Sequence, residues 1–159
     1  MSNRINLFQT VPALIKTLSE ASQASHNSSL DITIKNLVDL RASQLNGCAF
    51  CVDMHVKQAK LQGERELRLY HVAIWRESPL FSAKEKAALG LAEAMTRLGE
   101  QGVPDTVYRE AREHFSEVAL SELVFAIAII NTWNRLMVLS QALPGAMDKA
   151  YGLDRAHLE

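Results

Sequence analysis

A chain of 159 residues, 48% apolar and 22% charged, has the size and composition of one globular unit, and it is read as a single domain over residues 1–159. Its 17 Lys and Arg against 18 Asp and Glu leave a formal charge of −1 with no basic cluster, which argues against a nucleic-acid partner. The longest apolar run, residues 123–130, is far short of the about 20 residues a bilayer takes, so no membrane association is expected.

Helical periodicity runs through nearly every segment, and no alternating strand pattern is present. Leu7, Val11, Leu14, Ile15 and Leu18 follow i, i+4, i+7, i+8 and predict a first helix over 7–24. A polar loop over 25–29 follows. Asp31 is the expected N-cap of a second helix carrying Ile34, Leu37, Leu40, Ala42 and Leu45, closed by Asn46-Gly47. A third helix opens at Cys48 and Cys51 and runs to about residue 61. A short fourth covers 64–75 and stops before Ser78-Pro79.

The capping box Ser82-Ala-Lys-Glu85 starts a fifth helix through residue 98. Gly99 and Gly102 break the chain, and Pro104 suits the first turn of a sixth helix to about residue 115. The last helix covers 120–142. Its middle, Val124-Phe-Ala-Ile-Ala-Ile-Ile130, is apolar all round, so it is either central to the core or buried against a second copy of the chain. The expected fold class is all-α, a bundle of six to seven helices.

A domain of this size buries roughly 68–70% of its unfolded surface and needs no disulfide or metal to hold a core. Residues 1–6 carry no apolar segment and no cleavage signature, so export is not expected and a reducing, cytoplasmic setting is. There a C-x-x-C pair is more often catalytic or metal-binding than a structural staple.

The only cysteines, Cys48 and Cys51, stand three residues apart with His55 four residues on. In the first turn of a helix, free N–H groups and the positive end of the dipole favour thiolate over thiol. The i, i+3 spacing lets the two sulfurs close a disulfide across one turn. His55, one turn beyond Cys51, can take a thiol proton and return it to a leaving group. Three other readings compete: two buried structural cysteines, a zinc site of Cys48, Cys51 and His55, and His55 as a core histidine. Structural zinc takes four ligands, and neither His71 nor His114 completes a pair. No metal and no cofactor is expected.

The stretch Leu40-Arg-Ala-Ser-Gln-Leu-Asn-Gly-Cys-Ala-Phe-Cys-Val-Asp-Met-His55 resembles the core motif of the alkylhydroperoxidase D-like family within the carboxymuconolactone decarboxylase superfamily. The similarity continues through Ala73-Ile-Trp-Arg-Glu-Ser78, Glu85-Lys-Ala-Ala-Leu-Gly-Leu-Ala-Glu93 and Ile130-Asn-Thr-Trp-Asn-Arg135. The resemblance implies an all-helical fold, assembly into homo-dimers, trimers or hexamers, and thiol-dependent reduction of a small hydroperoxide. It assigns attack on the peroxide to Cys51 and resolution to Cys48, the more exposed first cysteine. His55 helps deprotonate the attacking thiol, and an external dithiol, a lipoyl group or another thiol protein, reduces the disulfide.

Two positions depart from the pattern. Family members carry a glutamate twelve residues before the first cysteine as part of the proton relay, and here that position is Asn36, which can orient a water or His55 but cannot take a proton. Asp39, one turn along, is the nearest substitute. Phe50 stands where some relatives have a histidine, and it is read as core first and as pocket lining second. Trp75 and Trp133 are read as core or interface, Asn134 is given no role, and Arg135 needs a carboxylate such as Glu122, Asp39 or Glu85, or an interface. The expected catalytic set is Cys51, Cys48, His55 and Asn36. Two rivals are a redox sensor or binding protein without turnover, and thiol-independent decarboxylase-type chemistry.

Overall fold

The computed structural model describes residues 4–158. Residues 1–3, half of the segment read for an export signal, lie outside the described residues, as does residue 159. Among the described residues the regular structure is helical, with no strand, as the periodicity predicts.

The chain opens with two helices, α1 (Leu7–Thr10) and α2 (Pro12–His26), where the apolar pattern predicts one. Pro12 divides them, because it has no N–H to donate and its ring clashes with the preceding turn, at a cost of about 3 kcal/mol inside a helix. At the first position of a new helix the same residue fits. Of the predicted stripe only Ile15 is buried; Leu14 is 69% exposed.

Helix α3 (Ile32–Leu45) begins at the predicted cap, where the Asp31 carboxylate accepts the Thr33 N–H at 2.8 Å. It is the central helix, buried on nearly every side, with α4 (Ala49–Leu61) packed along it. The helix expected over 64–75 is α5 (Glu66–His71) followed by a 3₁₀ turn, Val72–Ile74. The Ser82–Glu85 capping box is formed and opens α6 (Ala83–Thr96). Pro104 sits one residue before α7 (Asp105–His114), as its N-cap and not in its first turn.

Helix α8 (Glu117–Ser140) starts three residues earlier than the apolar run suggests, because the Ser116 hydroxyl accepts the Ala119 N–H and caps it. By length and composition α8 could cross a membrane, a property that counting only residues 123–130 misses. Here Leu120, Leu123, Ile127, Ile130 and Met137 bury its inner face. A short α9 (Asp148–Tyr151) and a 3₁₀ turn, Leu153–Ala156, follow where no element is predicted, since four-residue pieces carry no readable period.

Two apolar cores flank α3. Ile34 and Val38 meet Leu91 of α6, Phe115 and Leu123 and Ile127 of α8; Leu37 and Leu40 meet Ala59, Leu69, Val72, Trp75 and Leu89. The third face of α3 carries Asn36, Asp39 and Ser43, spaced by three and four residues and all buried. That polar face looks toward the cysteines. Trp75 is core as predicted, and its indole N–H donates to Glu93, which also takes Arg41 and Arg76.

Candidate active site at the cysteine pair

One turn of backbone serves two helices. Gly47, at φ +66°, lets its own N–H reach the Gln44 carbonyl at 3.2 Å and the Cys48 N–H reach the Ser43 carbonyl at 3.0 Å, which closes α3. Cys48 is at the same time the N-cap of α4, its sulfur accepting the Cys51 N–H at 3.3 Å. Cys51 is therefore the third residue of α4, inside the field of its amino end. The two cysteines are joined as a disulfide, with Cα atoms 5.3 Å apart.

The expectation that Cys48 is the more exposed of the pair is wrong. Cys48 is 2% exposed and Cys51 3%, and both pack under Met137 near the end of α8, with Leu136 and Ala142 beside them. The resemblance carried the exposure over, but here the end of α8 covers the N-cap position.

The segment Asn131-Thr-Trp-Asn-Arg135 has a role that sequence reasoning missed. Asn46, just before Gly47, donates to the side-chain oxygens of Asn131 and Asn134, each at 2.9 Å. Asn134 in turn donates to Ser43 at 3.0 Å, and Asn131 to Thr96 at 3.0 Å. This buried network ties the cysteine turn to α8. Among the described residues Arg135 meets no carboxylate: it is exposed and donates to Asn131, while Glu122, Asp39 and Glu85 engage Ser29, Lys35 and Arg68. Asn134→Ala should leave Asn46 and Ser43 short of partners and cost about 2 kcal/mol of stability, read as a lower urea midpoint at unchanged m-value.

His55 lies on α4 one turn from Cys51. Its Nδ1 is 2.9 Å from Gln58 Oε1 and 4.0 Å from Asp39 Oδ2. The amide oxygen can only accept, so Nδ1 carries the hydrogen and Nε2 is the free base. Burial holds the His55 pKa below its ordinary value; Lys35 adds to that, while Asp39 and Gln58 oppose it. Neutral imidazole, the form that accepts a proton, is thus favoured near pH 7. The Asn36 side chain donates to Gln62 and not to His55.

Cys51, His55, Asn36 and Asp39 all line one cavity of about 620 Å³. Phe50 and Trp133 pack against the Cys48, Cys51 and Met137 cluster, in keeping with their core reading, and they line the cavity as well; the Trp133 indole N–H donates to Ser22 of α2 at 2.8 Å. Ile129, Ile130 and Met137 of α8 make one wall, and Met147, Tyr151, Leu153 and Arg155 close another. That C-terminal wall is pinned by buried Lys57, which joins Asp53 on its own helix to Asp148 at 2.6 Å. Burial works against the Lys57 charge, but the hydrogen bonds of Asp148 and Asp53 prevail and hold its pKa above the ordinary lysine value. The i, i+4 spacing of Asp53 and Lys57 is visible in the sequence; the contact to Asp148 is not.

Comparison with known proteins places this geometry among relatives. The model of the carboxymuconolactone decarboxylase family matches residues 10–94. The uncharacterized protein YdfG of Bacillus subtilis is 39% identical over 138 residues, 87% of this chain and 94% of that protein. The uncharacterized protein YnjA of Escherichia coli is 38% identical over 130 residues, 80% of this chain and 66% of that protein. Among solved structures, a protein of unknown function from Agrobacterium tumefaciens, whose description suggests the antioxidant defence protein AhpD, superposes with a TM-score of 0.87 at 37% identity, over 92% of this chain and 99% of that one. The debrominase Bmp8 shares the fold, with a TM-score of 0.76 at 20% identity, over 91% of this chain and 77% of that one.

Proposed function

Because this chain belongs to the carboxymuconolactone decarboxylase family, among its alkylhydroperoxidase D-like members, we propose that it reduces hydroperoxides through a dithiol–disulfide cycle at Cys51 and Cys48. One observation carries the reading: Cys51, bonded to Cys48 at the start of a helix, opens onto a cavity that also holds a neutral-leaning histidine.

In the reduced protein His55 takes the Cys51 proton at Nε2. The thiolate attacks the terminal peroxide oxygen; the S–O bond forms, the O–O bond breaks, and the alkoxide leaves with the proton from His55 as alcohol. Cys51 is then a sulfenic acid. Cys48 attacks it, the disulfide forms, and water departs. An external dithiol, a lipoyl group or a thiol protein, returns two electrons by exchange and leaves as its own disulfide. Cys51 faces the cavity and Cys48 does not line it, so the incoming thiolate attacks Cys51 and Cys48 is the leaving sulfur. The cycle suits a reducing compartment, the cytoplasm.

The test is a thiol count with and without reductant, followed by hydroperoxide consumption with a lipoyl-type dithiol in excess. Many turnovers per chain support the peroxidase. One equivalent consumed and then nothing identifies a redox sensor instead.

We also propose that a second copy covers the outer face of α8. Val118, Phe125 and Leu139 stand on that face at seven-residue multiples, each more than half exposed, with Thr132 between them. Phe125→Lys should lower the mass measured by light scattering to that of a smaller species while leaving the helical circular dichroism intact.

A further inference from the structure

The relay position twelve residues before the first cysteine holds an amide, Asn36, turned to Gln62. One turn further along the same helix face is a buried carboxylate, one oxygen of which no structural pairing explains. Asp39 is 4% exposed and lines the cavity with Cys51 and His55. Its Oδ2 accepts from Lys35 at 2.8 Å and stands 4.0 Å from His55 Nδ1. Its Oδ1 is buried and has no hydrogen-bond partner among the described residues. Burying a carboxylate oxygen without a partner is costly, and an i, i+4 pair with Lys35 is met by Oδ2 alone.

We propose that Asp39 is the carboxylate of this site, a positioning residue that acts through His55 and stabilises the imidazolium formed when His55 takes the Cys51 proton. The proposal rests on the dithiol reading of the same site. The division of labour follows from the ring. Nδ1–H faces Gln58 and Asp39, and Nε2 is left to receive the thiol proton. The positive charge then forms on a buried ring whose other nitrogen looks at a fixed negative group. Burial, with Lys35 adding to it, opposes Asp39 and keeps the resting ring on the neutral side. The other titratable groups lining the cavity are His26 from α2, Tyr151 from α9 and Arg155 from the final turn; α8 contributes only Ile129, Ile130, Trp133 and Met137. Asp39 and Lys35 are the two charged groups that act on His55 most strongly, and they act with opposite sign.

That opposition gives the test. In the full chain with its disulfide intact, Cys51 cannot titrate, so His55 can be followed alone by NMR of labelled histidine. Asp39→Asn should lower the His55 midpoint by roughly one unit, and Lys35→Met should raise it. A role confined to packing would move both the same way or neither. In the reduced protein carrying Cys48→Ser, iodoacetamide modification of Cys51 near pH 7 should slow about tenfold with Asp39→Asn, and adding Asn36→Glu should recover part of that loss. An unchanged midpoint in Asp39→Asn overturns the proposal, as do shifts of the same sign in the two variants. If Asp39→Asn does not fold, Asp39→Ser takes its place, with the same fall in the His55 midpoint expected and an unmoved midpoint overturning the proposal. None of these measurements uses peroxide. Opposite shifts in a protein that consumes no peroxide would sink the peroxidase reading and keep the role of Asp39, whereas peroxide turnover with an unmoved His55 would do the reverse.

Discussion

Cys51→Ser should abolish the proposed peroxide consumption by the reduced protein, with an expected loss on the order of 10⁴–10⁶, the range seen when a nucleophile is removed from a site whose other groups remain. A serine hydroxyl at the third position of α4 feels the same helix field but stays protonated at neutral pH, so His55 has no thiolate to generate. Cys48→Ser should behave differently. Serine is a better N-cap than cysteine, so α4 keeps its start. The first peroxide is reduced at a near-normal rate, and the chain then stalls as a sulfenic acid that a dimedone-type probe labels. One equivalent consumed per chain in Cys48→Ser, against none in Cys51→Ser, separates attack from resolution. If both variants keep turning over with peroxide in excess, thiol chemistry is not the activity.

His55→Gln should lower the peroxide-dependent rate by about 10²–10⁴, the usual contribution of a positioned acid–base group. The pH profile carries the finer information. The reaction needs neutral His55, so the rate falls as pH falls through the His55 pKa, and burial places that pKa below the ordinary histidine value of about 6.5. Activity should therefore persist to lower pH than an exposed histidine would allow, and His55→Gln should remove that acid limb. Stability follows the same sign. A histidine whose folded pKa is depressed binds fewer protons than the unfolded chain, so its contribution is complete above the unfolded value and is lost as pH drops toward the folded one. The stability of His55→Gln should change less across that window than wild type, as measured by urea unfolding at several pH values.

Much of this molecule was legible in its sequence because the signals are local. The Asp31 cap, the Ser82–Glu85 box and the Asn46-Gly47 stop each depend on residues within one turn, and each is formed as read. The C-x-x-C and the histidine a turn beyond are local as well, so the heart of the site could be placed before any fold was known. What was missed depends on distance. Trp133 and Phe50 pack against a core cluster as read, but only the three-dimensional arrangement of α2, α4 and α8 also sets Trp133 beside the cavity. Asn134 looks ordinary until Asn46 and Ser43, 88 and 91 positions away, are brought beside it. The exposure of Cys48 failed for a related reason: it was borrowed from relatives, whereas burial is set by what each chain's own α8 lays over the turn. Pro12 is the exception, a local signal visible in the sequence that the apolar period overrode.

The sulfur of Cys48, by capping α4, also links the electrochemistry of the pair to the folding of the chain. As a thiolate released from the disulfide, Cys48 would remain at the amino end of a thirteen-residue helix, where a negative acceptor is stabilised more than a neutral one. Any such preference for the open form raises the reduction potential of the pair, by about 30 mV for each ~1.4 kcal/mol. The unfolded chain has no helix and shows no such preference. The difference in unfolding free energy between the dithiol and disulfide proteins is therefore the same quantity as the difference in potential between folded and unfolded pairs. A denaturation curve run on each redox form is, for this protein, a voltmeter.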